Sequence, residues 1–556
     1  MTDPATDPIP ATAGPSVSIA RSSSMMAVAN LVSRITGFLR QVALVGVLGV
    51  GVLNDAYTVS NTLPNIVYEL LFGGVLTSVM IPILVRAQKD DADGGLTYTR
   101  RLVTLTGLAL TVGTVLAMLA APLLTRLYLG TQSTTANPEL ATALAYLLLP
   151  QILFYGLGAL LGAILNSRGA FAAFAWAPVL NIVVVLAVLG VYAALPGEIS
   201  LDPVRMGEPK LLVLGLGTTL GIVVQALVLV PAVRRVGFTW RPQFGWDPRL
   251  TAAGGLVVWV VGYVLIGIPG YIVTTRVAAA ADPGGVTVYA NTWLLLQVPY
   301  GVLGVSLLTA LMPRMSRSAA DGRVRDVVDD LALGSRLSAV FLVPVSVLLT
   351  VFGPEVGIAL FGLRSANLDG AARIGAALAC SAFGLLPYAI TMLQMRVFYA
   401  LTDSRTPALI QLVTVGVKIP LLLVCPLLLA PRDVVLGLVA VNSLSFVAGA
   451  ALGQVLLRRR LGPMPTRTVV STAGRALIAS LAAALLAWGV CRLLAGPLAA
   501  LPPLGQAWVQ LAVAVVVGLP ATVIGLRLLR VSELNALVGR IERLVDRRRP
   551  RRGVRR

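Results

Sequence analysis

Apolar runs of about 20 residues, the length that crosses about 30 Å of hydrocarbon, recur along the whole chain, bounded by glycine, proline or charge. Read as spans, they start near Ser24, Ala56, Leu102, Leu140, Ala172, Leu211, Thr251, Val286, Leu337, Ala371, Pro407, Val434, Ser471 and Ala507. The expected fold is therefore an all-α polytopic membrane protein of about 14 transmembrane helices. With 57% hydrophobic and 12% charged residues and a mean hydropathy of +0.87, the 556-residue chain does not have the composition of a soluble catalyst.

The chain has no histidine, which removes the usual zinc sites and the serine and cysteine triads, and no metal site is expected. Cys380, Cys425 and Cys491 lie far apart in apolar stretches and read as buried thiols. Residues 1–22 contain neither a basic n-region nor an apolar h-region and read as a disordered cytoplasmic leader without a cleaved signal.

The net charge of +20 is explained by topology. Alternate loops concentrate the basic residues, as at Arg86, Lys89, Arg100 and Arg101, at Arg314, Arg317, Arg323 and Arg325, and at Arg458 to Arg460. By the positive-inside rule these loops are cytoplasmic, and an even number of spans puts both termini there too. Residues 532–556 place Leu534, Leu537, Val538 and Ile541 at helical spacing beside Arg540, Arg543 and Arg547 to Arg549. This basic amphipathic tail is expected to lie on anionic lipid and not on nucleic acid.

An internal repeat relates Gly73, Leu76, Pro82 and Arg86 to Gly304, Leu307, Pro313 and Arg317 at a constant offset of 231 residues. The offset carries span 2 onto span 8, so the copies run parallel, as in transporters built from two bundles. The expected organisation is an N-lobe over 23–236, a C-lobe over 237–460, two further spans over 461–531 and the tail.

An arginine at the centre of a span costs about 2.5–3.5 kcal/mol, so it tends to face a partner or a watery cavity. Span 1 carries Ser33, Arg34, Gly37, Arg40 and Gln41 well inside its apolar run, with Arg34, Gly37 and Gln41 on one face. Span 7 carries Arg276 beside Thr274 and Thr275, and the repeat offset sets Arg276 level with Val45. Arg34, Arg40 and Arg276 would then stand at successive depths, roughly 9 Å and 7 Å apart. Guanidinium groups arranged in this way suit the oxygens of a diphosphate headgroup. The alternative is pairing with carboxylates, of which Asp55, Glu69 and Asp282 are the nearest to hand. Lys418, deep in span 11, either lines the cavity or takes the place of a coupling cation.

The run Ser33-Arg34-Ile35-Thr36-Gly37-Phe38-Leu39-Arg40, followed by Asp55-Ala56 and Leu63-Pro64-Asn65, resembles the MurJ/MviN family of lipid II flippases. Gly162 to Asn166 with Pro178 and Asn181, Pro299 with Gly301 to Gly304, and Phe398-Tyr399 with Asp403 and Thr406-Pro407 extend the resemblance over most of residues 24–460. It implies the multidrug/oligosaccharidyl-lipid/polysaccharide exporter fold, with two six-helix lobes and two additional C-terminal helices beside a groove for the lipid tail. It also implies movement of the undecaprenyl-diphosphate-linked peptidoglycan precursor from the inner to the outer leaflet by alternating access. On this reading Arg34, Arg40, Asp55, Asn65 and Gln41 belong to the central cavity, Arg276 adds a cation there, and Asp403 is either an ion ligand or a helix cap.

The chain departs from the family pattern at Tyr68 and Glu69, Gly73, Leu294, Gln297 and Gln41, where many members carry charges. Arg276 would offset one lost cation, a pattern that resembles actinobacterial members. The departures count against sodium coupling; membrane potential acting on the cationic cavity could supply the energy, which the residues do not decide, and no cofactor is expected. No G-x-x-x-x-G-K-[ST] motif is present for ATP. The expected protein is thus a plasma-membrane transporter and not an enzyme, whose partners are lipid II, membrane lipids and possible wall-synthesis or division proteins. The competing readings are a flippase for another polyprenyl-diphosphate glycan and a scaffold that recruits the wall-synthesis machinery.

Overall fold

The computed structural model describes residues 16–72, 81–131, 135–202, 204–245, 247–248, 254–363, 367–403, 405–531 and 533. Apart from Glu533, the expected basic tail over 532–556 lies outside the described residues, as do residues 73–80, which include Gly73 and Leu76 of the repeat. Every regular element among those described is helical. Hydrogen bonds closed within each segment are what a backbone surrounded by hydrocarbon requires.

The helices run α1 Ser16–Leu48, α2 Val52–Phe72, α3 Ile81–Asp90, α4 Leu96–Leu119, α5 Ala121–Leu129, α6 Pro138–Leu148, α7 Gln151–Ser167, α8 Ala172–Ala194, α9 Pro209–Leu227 and α10 Leu229–Arg235. They continue as α11 Gly254–Ala281, α12 Gly285–Ala320, α13 Val324–Phe361, α14 Leu368–Ser381, α15 Leu385–Ala400, α16 Arg405–Leu428, α17 Val434–Leu461, α18 Thr466–Leu493, α19 Ala495–Leu498, α20 Pro503–Val513 and α21 Leu519–Leu528. Among the described residues, 12 helical segments are long and apolar enough to cross a membrane. The expected second and eighth spans fall on α2 and α13's predecessor α12, which are helical but outside that set. α1 is helical from Ser16, within the segment expected to be a disordered leader.

The chain divides into two compact units. The first comprises residues 1–44, 60–121 and 143–260. Its core joins Leu84 on α3, Tyr98 and Leu102 on α4, Leu160 and Ile164 on α7, and Phe238 beyond α10. The second comprises residues 45–59, 122–142 and 261–556. The helices expected to stand apart over 461–531 are part of this second unit. Ala476 and Ala479 on α18 and Leu526 on α21 pack in one core with Ala339, Val343 and Val347 on α13.

Within the second unit α13 and α14 approach to backbone contact. A Cβ on Gly357 would stand 2.1 Å from the Ala371 carbonyl oxygen, and one on Gly375 2.2 Å from that of Gly353. Close packing of small residues is how helices associate where lipid supplies no hydrophobic drive. α13 also breaks regular geometry at Phe352 (φ −111°, ψ 20°), two residues before Pro354, which removes a helical N–H and crowds the preceding turn.

Candidate functional site

In the first unit, α1 carries the polar patch. Arg34 is exposed, and Ser33, Gly37, Arg40 and Gln41 are half-buried. At Gly37 the helix runs close to α8, where an added Cβ would meet Ile182 at 3.8 Å. Thr36 turns its hydroxyl back to the Val32 carbonyl at 2.8 Å and so leaves the patch to the longer side chains. The Arg40 Nε is buried and has no hydrogen-bond partner among the described residues. Among the described residues no carboxylate stands at ion-pair distance from Arg34 or Arg40. Asn65, on α2, is exposed and donates one amide N–H to the Asn61 carbonyl at 3.2 Å, which leaves its second N–H for another acceptor. Among its described residues the first unit thus presents two guanidinium groups and two amide side chains without anionic partners, a set whose N–H groups suit phosphate oxygens.

In the second unit the carboxylates offered as partners for these arginines are engaged elsewhere. Asp55, expected to line a cavity, is 1% exposed. Its carboxylate accepts from the backbone N–H of Gly284 at 2.9 Å, Val286 at 3.4 Å and Thr287 at 2.8 Å, and from the Thr287 hydroxyl at 2.6 Å. It therefore caps the first turn of α12, whose leading N–H groups have no intrahelical acceptor and whose dipole favours a negative charge. The fit depends on Gly284, at φ +87°, where a Cβ would stand 2.6 Å from Val50 Cγ1. Next to this cap, Asn367 donates to the Val45 carbonyl at 3.2 Å, and Thr135 to that of Ala279 at 2.6 Å. Asp282 is ion-paired with Arg373. Asp55 is thus a structural cap and not a cavity ligand.

Arg276 is exposed on α11 between inward-facing turns that bury Thr274 and Thr275, and no carboxylate stands at ion-pair distance from it among the described residues. Asp403 precedes α16. Its Oδ1 accepts from the N–H of Arg405 and of Thr406, both at 3.0 Å, and its Oδ2 accepts from the Thr406 hydroxyl at 2.7 Å and pairs with Arg460. Burial opposes ionisation there, but the Thr406 hydrogen bonds and the Arg460 charge outweigh it and hold the carboxyl below the usual carboxylate range. Of the two roles expected for Asp403, the helix cap is the one its contacts describe.

Lys418 donates to the Asn442 Oδ1 at 2.8 Å and reaches the Tyr289 hydroxyl at 3.4 Å. Neither partner was singled out from sequence, although Asn442 is a polar residue in the apolar run of α17 and so carried a signal. Cys380 also differs from expectation. It is exposed, whereas Cys425 and Cys491 are buried. In a membrane protein an apolar residue can face lipid as readily as protein, so apolar surroundings in sequence do not imply burial.

Comparison with known proteins places this geometry in context. The family model described as lipid II flippase MurJ matches residues 44–504, so the α1 arginines precede the matched range. A probable lipid II flippase MurJ of Vibrio cholerae serotype O1 is 24% identical over 401 residues, covering 70% of this chain and 74% of the relative. The lipid II flippase MurJ of Burkholderia cenocepacia is 25% identical over 390 residues, covering 68% and 72%. Among solved structures, a lipid II flippase MurJ in an inward closed conformation superposes with a TM-score of 0.69 at 16% identity, covering 90% of this chain and 98% of that one. An inward-facing multidrug resistance MATE transporter of the MOP superfamily superposes with a TM-score of 0.62 at 15% identity, covering 78% and 98%. These two structures establish the shared fold.

Proposed function

The chain belongs to the MurJ lipid II flippase family, and from that membership we propose that it carries lipid II from the inner to the outer leaflet of the plasma membrane by alternating access. The observation that carries the reading is the family match over residues 44–504, on a fold whose long apolar helices make the protein a multi-pass membrane transporter. No covalent step is involved. The work is to bind an anionic headgroup on one side and expose it on the other.

The chemistry of the first unit supports this reading. Among the described residues Arg34 and Arg40 are cations in an apolar span without carboxylate partners, an arrangement costly enough to call for an anion or water. A diphosphate offers each guanidinium two acceptor oxygens in a matching plane. Asn65 and Gln41 add neutral donors for the same headgroup. Arg276, exposed on the second unit, brings a further cation without a carboxylate partner among the described residues.

We place both termini in the cytoplasm, because the Lys- and Arg-rich loops alternate with poor ones. Membrane potential is the proposed energy source, at about 2.3 kcal/mol per charge per 100 mV. Sodium coupling is not part of the proposal, since the Asp403 carboxylate is already committed to Thr406, Arg405 and Arg460. Depletion of the protein in its own cell, followed by labelling of lipid II from outside, tests the reading. Outer-leaflet lipid II is expected to fall while total lipid II rises, and an unchanged outer pool would refute the proposal.

A further inference from the structure

Of the 44 basic residues in this chain, 41 are arginine, and the three lysines are Lys89, Lys210 and Lys418. Lys89 lies in the last turn of α3 and Lys210 in the first turn of α9. Lys418 alone stands in mid-span, roughly 20 Å by helical rise from the start of α16 at Arg405 and roughly 15 Å from its end at Leu428. A lysine stem does not reach the interface over that distance. A chain that uses arginine almost everywhere thus keeps, deep in the membrane, the one basic side chain that can release its proton.

The surroundings are those of a site and not of an ion pair. The Lys418 ammonium donates to Asn442 Oδ1 on α17 at 2.8 Å and to Tyr289 Oη on α12 at 3.4 Å, so it joins three helices. Tyr289 and Asn442 are each only 8% exposed. Among the described residues no carboxylate stands at ion-pair distance from Lys418. The neighbouring elements bring no acidic group to its level. α17 has no charged residue before Arg458, and α12 brings Tyr289, Tyr300, Arg314 and Arg317. α11 brings Tyr271 and Arg276, α15 brings Tyr388, Arg396 and Tyr399, and α16 itself brings Arg405 and Cys425. Pro420, two residues further on, has no N–H for the Gly416 carbonyl, so α16 lacks one of its own hydrogen bonds at this level, as it does again at Pro426.

We propose that Lys418 is a proton-binding site of this transporter: with its proton it ties α16 to α12 and α17 through Tyr289 and Asn442, and without it α16 is released. In the step, the ammonium N–H bond breaks, the proton passes to water and the nitrogen keeps the electron pair. The remaining amine makes neutral hydrogen bonds, about half as strong as the charge-assisted ones. Proton occupancy thereby biases the conformation of the helix that Pro420 has loosened. The site extends the reading of the chain as a lipid II flippase, which it would couple to pH as well as to membrane potential.

Hydrogen exchange of α16, measured on the full chain in lipid nanodiscs and corrected for the intrinsic pH dependence of exchange, tests the site without relying on transport. In the wild type, protection of α16 is expected to fall about tenfold as the lysine loses its proton. Lys418→Arg, always charged, is expected to hold the protected level at every pH, and Lys418→Met, always neutral, the unprotected level. Opposite plateaus in two variants at one position are not produced by a general loss of structure. A wild type whose α16 protection does not change with pH, or a Lys418→Arg variant that responds as the wild type does, overturns the proposal. A second arm follows lipid II movement in vesicles under an imposed pH difference, where the wild type responds and Lys418→Arg does not. If the wild type moves no lipid II, the flippase reading fails, and the exchange arm still decides the proton site.

Discussion

The Asp55 cap offers the sharpest structural test. Asp55→Ala removes the acceptor for the Gly284 and Thr287 amides, at 2.9 and 2.8 Å, and for the Thr287 hydroxyl, at 2.6 Å, in a site where Asp55 is 1% exposed. A buried donor left without an acceptor costs about 1–3 kcal/mol, so the two amides together cost about 2–6 kcal/mol. Losses of helix N-caps, at about 0.5–2 kcal/mol, place the effect toward the lower end of that range. At about 3 kcal/mol, opening of the first turn of α12 becomes more than a hundredfold easier. Hydrogen exchange by mass spectrometry over the peptide that spans Gly284 to Thr292 reads this directly. Asp55→Asn keeps one acceptor oxygen without the charge and is expected to show an intermediate gain in exchange. Thr287→Ala removes only the hydroxyl donor and is expected to show the smallest. Exchange in this peptide unchanged by Asp55→Ala would refute the capping argument, whatever the variant does to transport.

Other outcomes follow from the same contacts. Arg34→Ala and Arg40→Ala are each expected to slow lipid II movement about ten- to a hundredfold, since each removes charge-assisted hydrogen bonds of about 1.5–3 kcal/mol. Arg40→Lys is expected to recover part of the loss and not all, because an ammonium lacks the planar fork. Gly284→Ala forces a φ of +87° on a residue with a Cβ, 2.6 Å from Val50, and is expected to destabilise the second unit by about 1–3 kcal/mol, read as a lower midpoint of thermal unfolding. The Asp403 carboxyl is held below its ordinary range, so its stabilisation is fully present above the unfolded value of about 3.9 and fades as pH falls through the lower folded value. Asp403→Asn is therefore expected to lower the unfolding midpoint at neutral pH, and this difference should close in acid.

The spans were legible because burial in lipid leaves a local record. Thirteen of the 14 expected starts fall within a helix and Thr251 lies outside the described residues, while α2, interrupted by Asn54, Asp55, Asn61 and Asn65, is helical but outside the set of strongly apolar segments. The α1 patch was legible for the complementary reason, that charge inside such a run is expensive. What could not be read was contact between residues far apart in sequence. The bonds from Asp55 to the start of α12 cross 229 to 232 residues, and a lone aspartate near a helix start gives no sign of which helix it caps. The grouping of the short segment 45–59 with residues 261–556 was hidden similarly, because its partners are supplied by the distant half of the chain. For Cys380 the obstacle was different in kind, since an apolar stretch has one composition whether it faces lipid or protein.

The most direct test of the central claim is movement of lipid II by the purified full chain in vesicles, with inner- and outer-leaflet lipid II distinguished by a membrane-impermeant label. The wild type is expected to deliver lipid II to the labelled leaflet faster than protein-free vesicles and under an applied membrane potential, and the Arg34→Ala, Arg40→Ala double variant is expected to fall to the protein-free rate. Wild-type vesicles that move lipid II no faster than protein-free ones, or a double variant that moves it at the wild-type rate, would contradict the account.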